Sequence, residues 1–161
     1  MTSEFNFFFA TTVGILLVLS TVMVHYEALR LISLLLPRLK MQPRVRILAV
    51  IYGVIFAHTI EVWIFAFAYY FLSEHMELGA FTGLPTSHIF DYVYFSVVVY
   101  TSLGFGDLLP LQHVRLIAGM EALLGLVMIG WSASFTYLMM ERFWKDHPGH
   151  PNHPSRKDPP N

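Results

Sequence analysis

Cysteine is absent from this sequence of 161 residues, and charged residues make up only 13% of it. The absence of cysteine excludes a disulfide framework and a thiolate metal site. The scarcity of charge, together with an apolar content of 55%, excludes an ordinary soluble domain of this length. The composition therefore predicts a membrane protein, and we expect membrane lipids, and no nucleic acid, among its partners.

Three apolar stretches are long enough to cross a bilayer, since a spanning helix needs about 20 mostly apolar residues. They run from Phe5 to Val24, from Ile47 to Leu72 and from Leu116 to Met140. A fourth stretch, Ile89 to Tyr100, is too short. At about 1.5 Å per residue it cannot cross a hydrocarbon core of about 30 Å, so we expect it to enter the membrane and return.

Lysine and arginine mark the expected orientation. Between the first and second stretches, and after the third, the basic residues are Arg30, Arg38, Lys40, Arg44, Arg46, Arg142, Lys145, Arg156 and Lys157. The connection from Ser73 to His88 has none. By the positive-inside rule the basic regions are cytoplasmic. We therefore expect a multi-pass protein of the plasma membrane with its N-terminus outside the cell and its C-terminus in the cytoplasm.

A segment with alternating glycines directly follows the short fourth stretch. Its residues are Thr101, Ser102, Leu103, Gly104, Phe105, Gly106 and Asp107. Non-helical backbone held at membrane depth must be satisfied by protein or must face an aqueous cavity. Glycine adopts left-handed backbone conformations at little cost, and alternating hands can point successive carbonyl oxygens to one side.

The sequence from Tyr92 to Pro110 reads Tyr-Val-Tyr-Phe-Ser-Val-Val-Val-Tyr-Thr-Ser-Leu-Gly-Phe-Gly-Asp-Leu-Leu-Pro. It resembles the pore of the two-transmembrane potassium channel family. A pore helix, a selectivity filter, an acidic residue after the second glycine and a downstream proline follow one another in that family's order. The resemblance extends from Ile47 to Glu141 and leaves the first apolar stretch as an additional span.

The resemblance implies a fold and a function. The fold is an all-α membrane protein with three transmembrane helices plus a re-entrant pore helix and filter, assembled as a homotetramer. Four filters would stack rings of carbonyl oxygens from residues 102 to 105, which replace the water around a K⁺ ion. The implied activity is passive K⁺ conduction without enzymatic activity, with K⁺ as the permeant ion, no organic cofactor and no other metal.

The expected domain organisation follows from these stretches. It comprises an N-terminal transmembrane helix at 1–36, a basic cytoplasmic loop at 37–46, a pore module at 47–142 and a disordered cytoplasmic tail at 143–161. Within the module we expect the outer helix at 47–72, the pore helix and filter at 89–107 and the inner helix at 114–142.

Residues 27–36 either extend the first helix or lie along the inner membrane interface. In the tail, His147, His150 and His153 leave a metal- or proton-sensing role open.

Two residues depart from the family's filter. Ser102 replaces the usual threonine and keeps its hydroxyl, whereas Phe105 replaces the commoner tyrosine and lacks the phenol that can brace the filter. A non-selective monovalent cation channel is therefore the first alternative. An auxiliary subunit that donates a pore loop to a larger assembly is another. A membrane metalloenzyme using His58, Glu61 and Glu121 is a third, although it needs more histidines inside the spans.

Glu61 and Glu121 are ionisable residues inside predicted spans, which makes them candidate functional residues. We expect both to lie behind the filter. Glu121 has Tyr94, Tyr100, His58 and Arg115 as candidate partners, and a protonated carboxyl satisfied by a tyrosine or by backbone is the favoured interpretation. His58 and Glu61 share a helix face, but a pair without a third ligand favours hydrogen bonding over metal binding.

The third span carries the candidate gate. Gly125 lies where the family often has a bending glycine, and Ile129, Ala133 and Tyr137 follow it at four-residue spacing. If Gly125 is a hinge, these three residues line the inner cavity. The sequence leaves open whether the glycine bends the helix or only allows helices to approach closely.

Overall fold

The computed structural model describes residues 2–39, 41–76, 78–84 and 88–145. In chain order the elements are α1 (Thr2–Leu35), a short 3₁₀ helix (Leu36–Arg38), α2 (Pro43–Glu74), β1 (Phe81–Gly83), α3 (Ile89–Tyr100), β2 (Leu108–Pro110) and α4 (Val114–Lys145). The protein is mostly helical, as predicted. The histidines of the predicted tail lie outside the described residues.

Three of the helices, α1, α2 and α4, are long and apolar enough to cross a membrane. The predicted number of spans is therefore confirmed. Helix α1 is continuous through residue 35, so residues 27–35 extend the first helix. Proline explains both boundaries of the following loop: Pro37 disfavours a longer α1, and Pro43 occupies the first position of α2, where no amide donor is needed.

Helix α3 coincides with the short fourth stretch. At its N-terminus the Asp91 carboxylate accepts a hydrogen bond from the backbone N–H of His88 at 2.9 Å. A carboxylate there also complements the positive end of the helix dipole. Helix α3 therefore begins at a capped N-terminus. It ends at Tyr100, immediately before the alternating-glycine segment.

Helices α2, α3 and α4 share one apolar core. Its fully buried large side chains include Phe65, Tyr69, Tyr92, Tyr100 and Ile117. Partly buried residues of α1 pack against the same core. A second cluster, which includes Leu29, Val50 and Phe143, joins α1, α2 and α4 near the end of the molecule that carries the C-terminus of α4. Helix α1 therefore packs along α2 and α4 over much of its length.

A two-stranded antiparallel sheet was not predicted from the sequence. Strand β1 pairs with β2 so that Gly83 lies opposite Leu108. Gly83 has a φ of +111°, and a Cβ added to it would lie 2.1 Å from the carbonyl oxygen of Asp107. Only glycine fits this approach. The sheet therefore fixes the chain that follows the alternating-glycine segment to the loop that precedes α3.

Candidate functional site

In the alternating-glycine segment the sign of the backbone φ angle alternates from residue 102 to residue 106. Ser102, Gly104 and Gly106 have φ values of +57°, +58° and +78°, and the two residues between them do not have positive φ. The left-handed conformation costs little at glycine, but a serine adopts it only when the surroundings impose it. The surroundings therefore hold the segment in the alternating conformation that the glycines permit.

The amide groups of the segment point back to the C-terminus of α3. The N–H of Ser102 donates to Val99 O at 2.9 Å, and the N–H groups of Leu103 and Gly104 donate to Val98 O at 3.0 and 3.4 Å. Among the hydrogen bonds of the described residues, none is accepted by the carbonyl oxygens of residues 102 to 105. Unpaired carbonyl oxygens at membrane depth are the ligands that a dehydrated monovalent cation needs.

The segment is exposed in the single protomer. Residues 101–106 are all exposed, with Leu103 at 57% and Phe105 at 64% of their full accessibility. Within a membrane, exposed apolar side chains and unpaired carbonyl oxygens of an extended segment must be covered by further protein or must face water. The protomer alone supplies neither.

One side chain ties the segment's far end to α3. The Tyr94 hydroxyl donates to the Asp107 carboxylate at 2.5 Å. This hydrogen bond raises the pKa of the Tyr94 phenol above its ordinary value, so the tyrosine remains a donor. The Thr101 hydroxyl secures the near end by donating to Val97 O at 2.7 Å.

Residues 57–142 match a protein family described as ion channel, which is more than half of the chain. The chain belongs to this ion channel family. The matched range contains α3, the alternating-glycine segment and most of α2 and α4, so the resemblance to the potassium channel pore is confirmed. No curated protein and no solved structure matches the chain.

In a buried network, Glu121 of α4 joins α2 to α3. It accepts hydrogen bonds from the Tyr69 hydroxyl and from the Ser96 hydroxyl, the latter at 2.5 Å. The expected partners Tyr94 and Tyr100 are therefore not its hydrogen-bonding partners. The Ser96 hydroxyl also lies 3.0 Å from Val62 O, and its single proton cannot serve both acceptors at once. A protonated Glu121 would complete the network, because it could donate to Ser96 while Ser96 donates to Val62.

A second buried network surrounds Glu61 of α2. The Tyr100 hydroxyl donates to the carboxyl of Glu61, and His58 Nδ1 lies 3.2 Å from the same carboxyl. His25 of α1 completes the network, with its Nδ1 2.6 Å from Glu61. Since Tyr100 is the last residue of α3, this network links α1 to the residue that precedes the alternating-glycine segment.

The candidate gate residues lie along α4. Gly125 is buried, whereas Ile129, Ala133 and Tyr137 are exposed in the protomer. All three lie on the part of α4 that follows Gly125. Their exposure is compatible with a cavity between protomers.

The Ser132 hydroxyl lies 3.1 Å from Nε2 of His25 and extends the second network. Four residues of these networks were not identified from the sequence: His25, Tyr69, Ser96 and Ser132. His25 follows the uncharged first stretch and is the histidine of α1, so its place inside a long apolar helix was an available signal. The other three are common residue types with no distinctive spacing. Only the folded structure identifies Tyr69 and Ser96 as partners of Glu121, and Ser132 as a partner of His25.

Proposed function

We propose that this chain is a subunit of a homotetrameric channel that conducts K⁺ selectively and passively across the plasma membrane. The observation that carries the proposal is the backbone of residues 102–106. The sign of φ alternates along it, and the N–H groups of residues 102–104 bond to carbonyl oxygens of α3. The carbonyl oxygens of residues 102–105 accept no hydrogen bond among the described residues. Four such strands around an axis would present successive rings of oxygen ligands to a dehydrated ion.

The surroundings of the strand support a cation rather than an anion. The C-terminal end of α3 carries partial negative charge and leads directly into the filter segment. The Asp107 carboxylate lies at the segment's other end. No lysine or arginine lies between residues 73 and 114, so no permanently charged cationic side chain of that region opposes a cation.

The proposal of a homotetramer rests on groups that are exposed in the single protomer. The filter segment has apolar side chains and unpaired carbonyl oxygens on the surface of the protomer. Copies of the same chain around an axis would cover the side chains while the carbonyl oxygens face the ions. Residues 101–107 then form the filter, and Ile129, Ala133 and Tyr137 line the inner cavity.

The proposal is tested by reconstituting the purified chain in planar bilayers with K⁺ on one side and Na⁺ on the other. A reversal potential near the K⁺ equilibrium potential is expected, together with a crosslinked species of four chains. A reversal potential near zero would favour the non-selective alternative, for which the phenylalanine at position 105 is the main argument. A chain that conducts only when another protein is added would favour the auxiliary subunit.

Gly104→Ala provides the matched test of the filter. Gly104 needs a φ of +58°, where a side chain is strained, although no atom lies within 4 Å of the added Cβ. Loss of K⁺ selectivity or of current is therefore expected from conformation alone. Gly119→Ala is the control, because its Cβ also meets no atom within 4 Å and its φ is ordinary. Unchanged permeation in Gly104→Ala contradicts the proposal.

A further inference from the structure

Two histidines and a carboxyl from two helices meet inside the apolar core of the protein. They are His25 of α1 and His58 and Glu61 of α2, and their candidate ligand atoms all lie within 4.8 Å of one another. The side chains of His25 and Glu61 are fully buried, and that of His58 is 20% exposed. Ionisable groups at such depth are costly unless they are paired with one another or bind an ion.

The distances fit a small divalent cation after a limited adjustment. Two imidazole nitrogens and a carboxylate are a recognised ligand set for Zn²⁺, and tetrahedral ligand atoms at about 2.0–2.1 Å from the metal lie about 3.3 Å apart. His58 Nδ1 already lies 3.2 Å from Glu61 Oε2. The 2.6 Å contact between His25 Nδ1 and Glu61 Oε1 is a direct hydrogen bond that a metal ion would replace and widen.

His25 has an outward partner of the kind that metal-bound histidines have. Ser132 Oγ lies 3.1 Å from Nε2 of His25, the nitrogen that points away from Glu61. A partner on that nitrogen fixes the ring and the tautomer that leaves Nδ1 free to bind a metal. The Tyr100 hydroxyl lies 2.8 Å from His58 Nδ1 and also bonds to Glu61, so an oxygen is available beside the fourth ligand position.

We propose that His25, His58 and Glu61 form a divalent-cation site for Zn²⁺, with Ser132 as a positioning residue for His25. The sequence offered only two of these ligands on one helix, and the packing of α1 against α2 supplies the third. His58 is the partly exposed ligand of the three, and it borders a groove of about 370 Å³ that is lined mostly by apolar side chains.

The site is coupled to the filter through Tyr100, and this part rests on the proposed function. Tyr100 touches the cluster with its hydroxyl and precedes Thr101 in the chain. One carboxylate cannot neutralise Zn²⁺, so net positive charge would remain next to the end of α3 that faces the filter. That charge opposes cation occupancy of the filter, and Zn²⁺ is therefore expected to reduce K⁺ flux.

Binding is tested on the purified full-length chain in detergent. Because the tail histidines can bind metal independently, the starting variant carries His147→Ala, His150→Ala and His153→Ala. One zinc per chain is expected after dialysis, measured by mass spectrometry of the metal. His25→Asn is expected to weaken the affinity by about 100-fold or more and Ser132→Ala by about 10-fold to 100-fold. His88→Asn, an exposed histidine outside the cluster, is the control and should bind like the starting variant.

A second measurement needs no change within the cluster. Co²⁺ added to the starting variant should give the visible absorption of a four-coordinate ion, and Zn²⁺ should abolish it. No retained zinc and no cobalt spectrum overturns the site, leaving the cluster as a hydrogen-bonded brace between helices. Zinc that binds equally to His25→Asn also overturns it.

The coupling is tested by K⁺ flux from vesicles containing the starting variant. Zinc at a saturating concentration should reduce the flux, and His25→Asn should remove this inhibition. Unchanged flux with zinc bound overturns the coupling. Stoichiometric zinc in a protein that never conducts K⁺ contradicts the proposed function and leaves the metal site in place, so the two failures are distinguishable.

Discussion

Gly125 of α4 packs directly against the carbonyl of Tyr100 at the end of α3. A Cβ added to Gly125 would lie 2.0 Å from Tyr100 O and 2.8 Å from its carbonyl carbon. Both are backbone atoms, so the conflict cannot be relieved by a side-chain rotation. Of the two roles that the sequence left open for this glycine, the structure supports close packing. The glycine lets α4 touch the residue that precedes the alternating-glycine segment.

The first prediction is that Gly125→Ala displaces the end of α3. Overpacking of this kind costs about 1–3 kcal/mol of folding free energy, and the free energy of unfolding in detergent should fall by that amount. We also expect loss of the tetramer, measured by crosslinking. Gly130→Ala is the matched control on the same helix, because its Cβ would meet no atom within 4 Å. A Gly125→Ala tetramer of normal stability with an altered open probability would instead support a hinge.

The second prediction concerns the protonation of Glu121. Glu121→Gln places an amide donor toward Ser96 and an acceptor toward Tyr69, which reproduces the hydrogen bonds of a protonated carboxyl. Its unfolding free energy should therefore stay within about 1 kcal/mol of the unmodified protein. Glu121→Ala leaves both hydroxyls without this partner and should lose about 1–3 kcal/mol for each. Equal destabilisation by the two substitutions would show that the carboxyl is charged.

The third prediction concerns the tie between Tyr94 and Asp107. Tyr94→Phe keeps the ring and removes the hydroxyl that donates a hydrogen bond to Asp107. Because Phe105 supplies no phenol to brace the proposed filter, the proposed function predicts faster decay of K⁺ current during sustained conduction and a reversal potential shifted toward Na⁺. Tyr52→Phe is the control, since Tyr52 is 68% exposed on α2. Currents that decay alike in both variants would exclude a bracing role for Tyr94.

The fourth prediction concerns orientation, and the absence of cysteine makes it directly measurable. Leu84, next to β1, is 56% exposed, and Arg44 is exposed at the start of α2. In intact cells a membrane-impermeant maleimide should label Leu84→Cys and should leave Arg44→Cys unmodified until the membrane is permeabilised. The unmodified protein contributes no background because it has no cysteine. The opposite labelling pattern would invert the proposed topology.

The sequence was sufficient for features that depend on local properties. The three spanning helices follow from length and hydropathy, α3 from an apolar stretch too short to cross, and the left-handed residues 104 and 106 from glycine. The sheet of β1 and β2 was missed because each strand has only three residues. Three residues are too few to show the alternating pattern by which strands are predicted.

The partners of the buried polar groups were decided by tertiary structure alone. His25 and Glu61 are separated by 36 positions, and Tyr69 and Glu121 by 52. In a soluble protein an apolar stripe indicates which face of a helix is buried, but helices that are apolar on all sides carry no such stripe. The sequence therefore determined which segments enter the membrane and which can form a filter. The rotation of each helix, and so the meeting of Gly125 with Tyr100 and of His25 with Glu61, came only from packing.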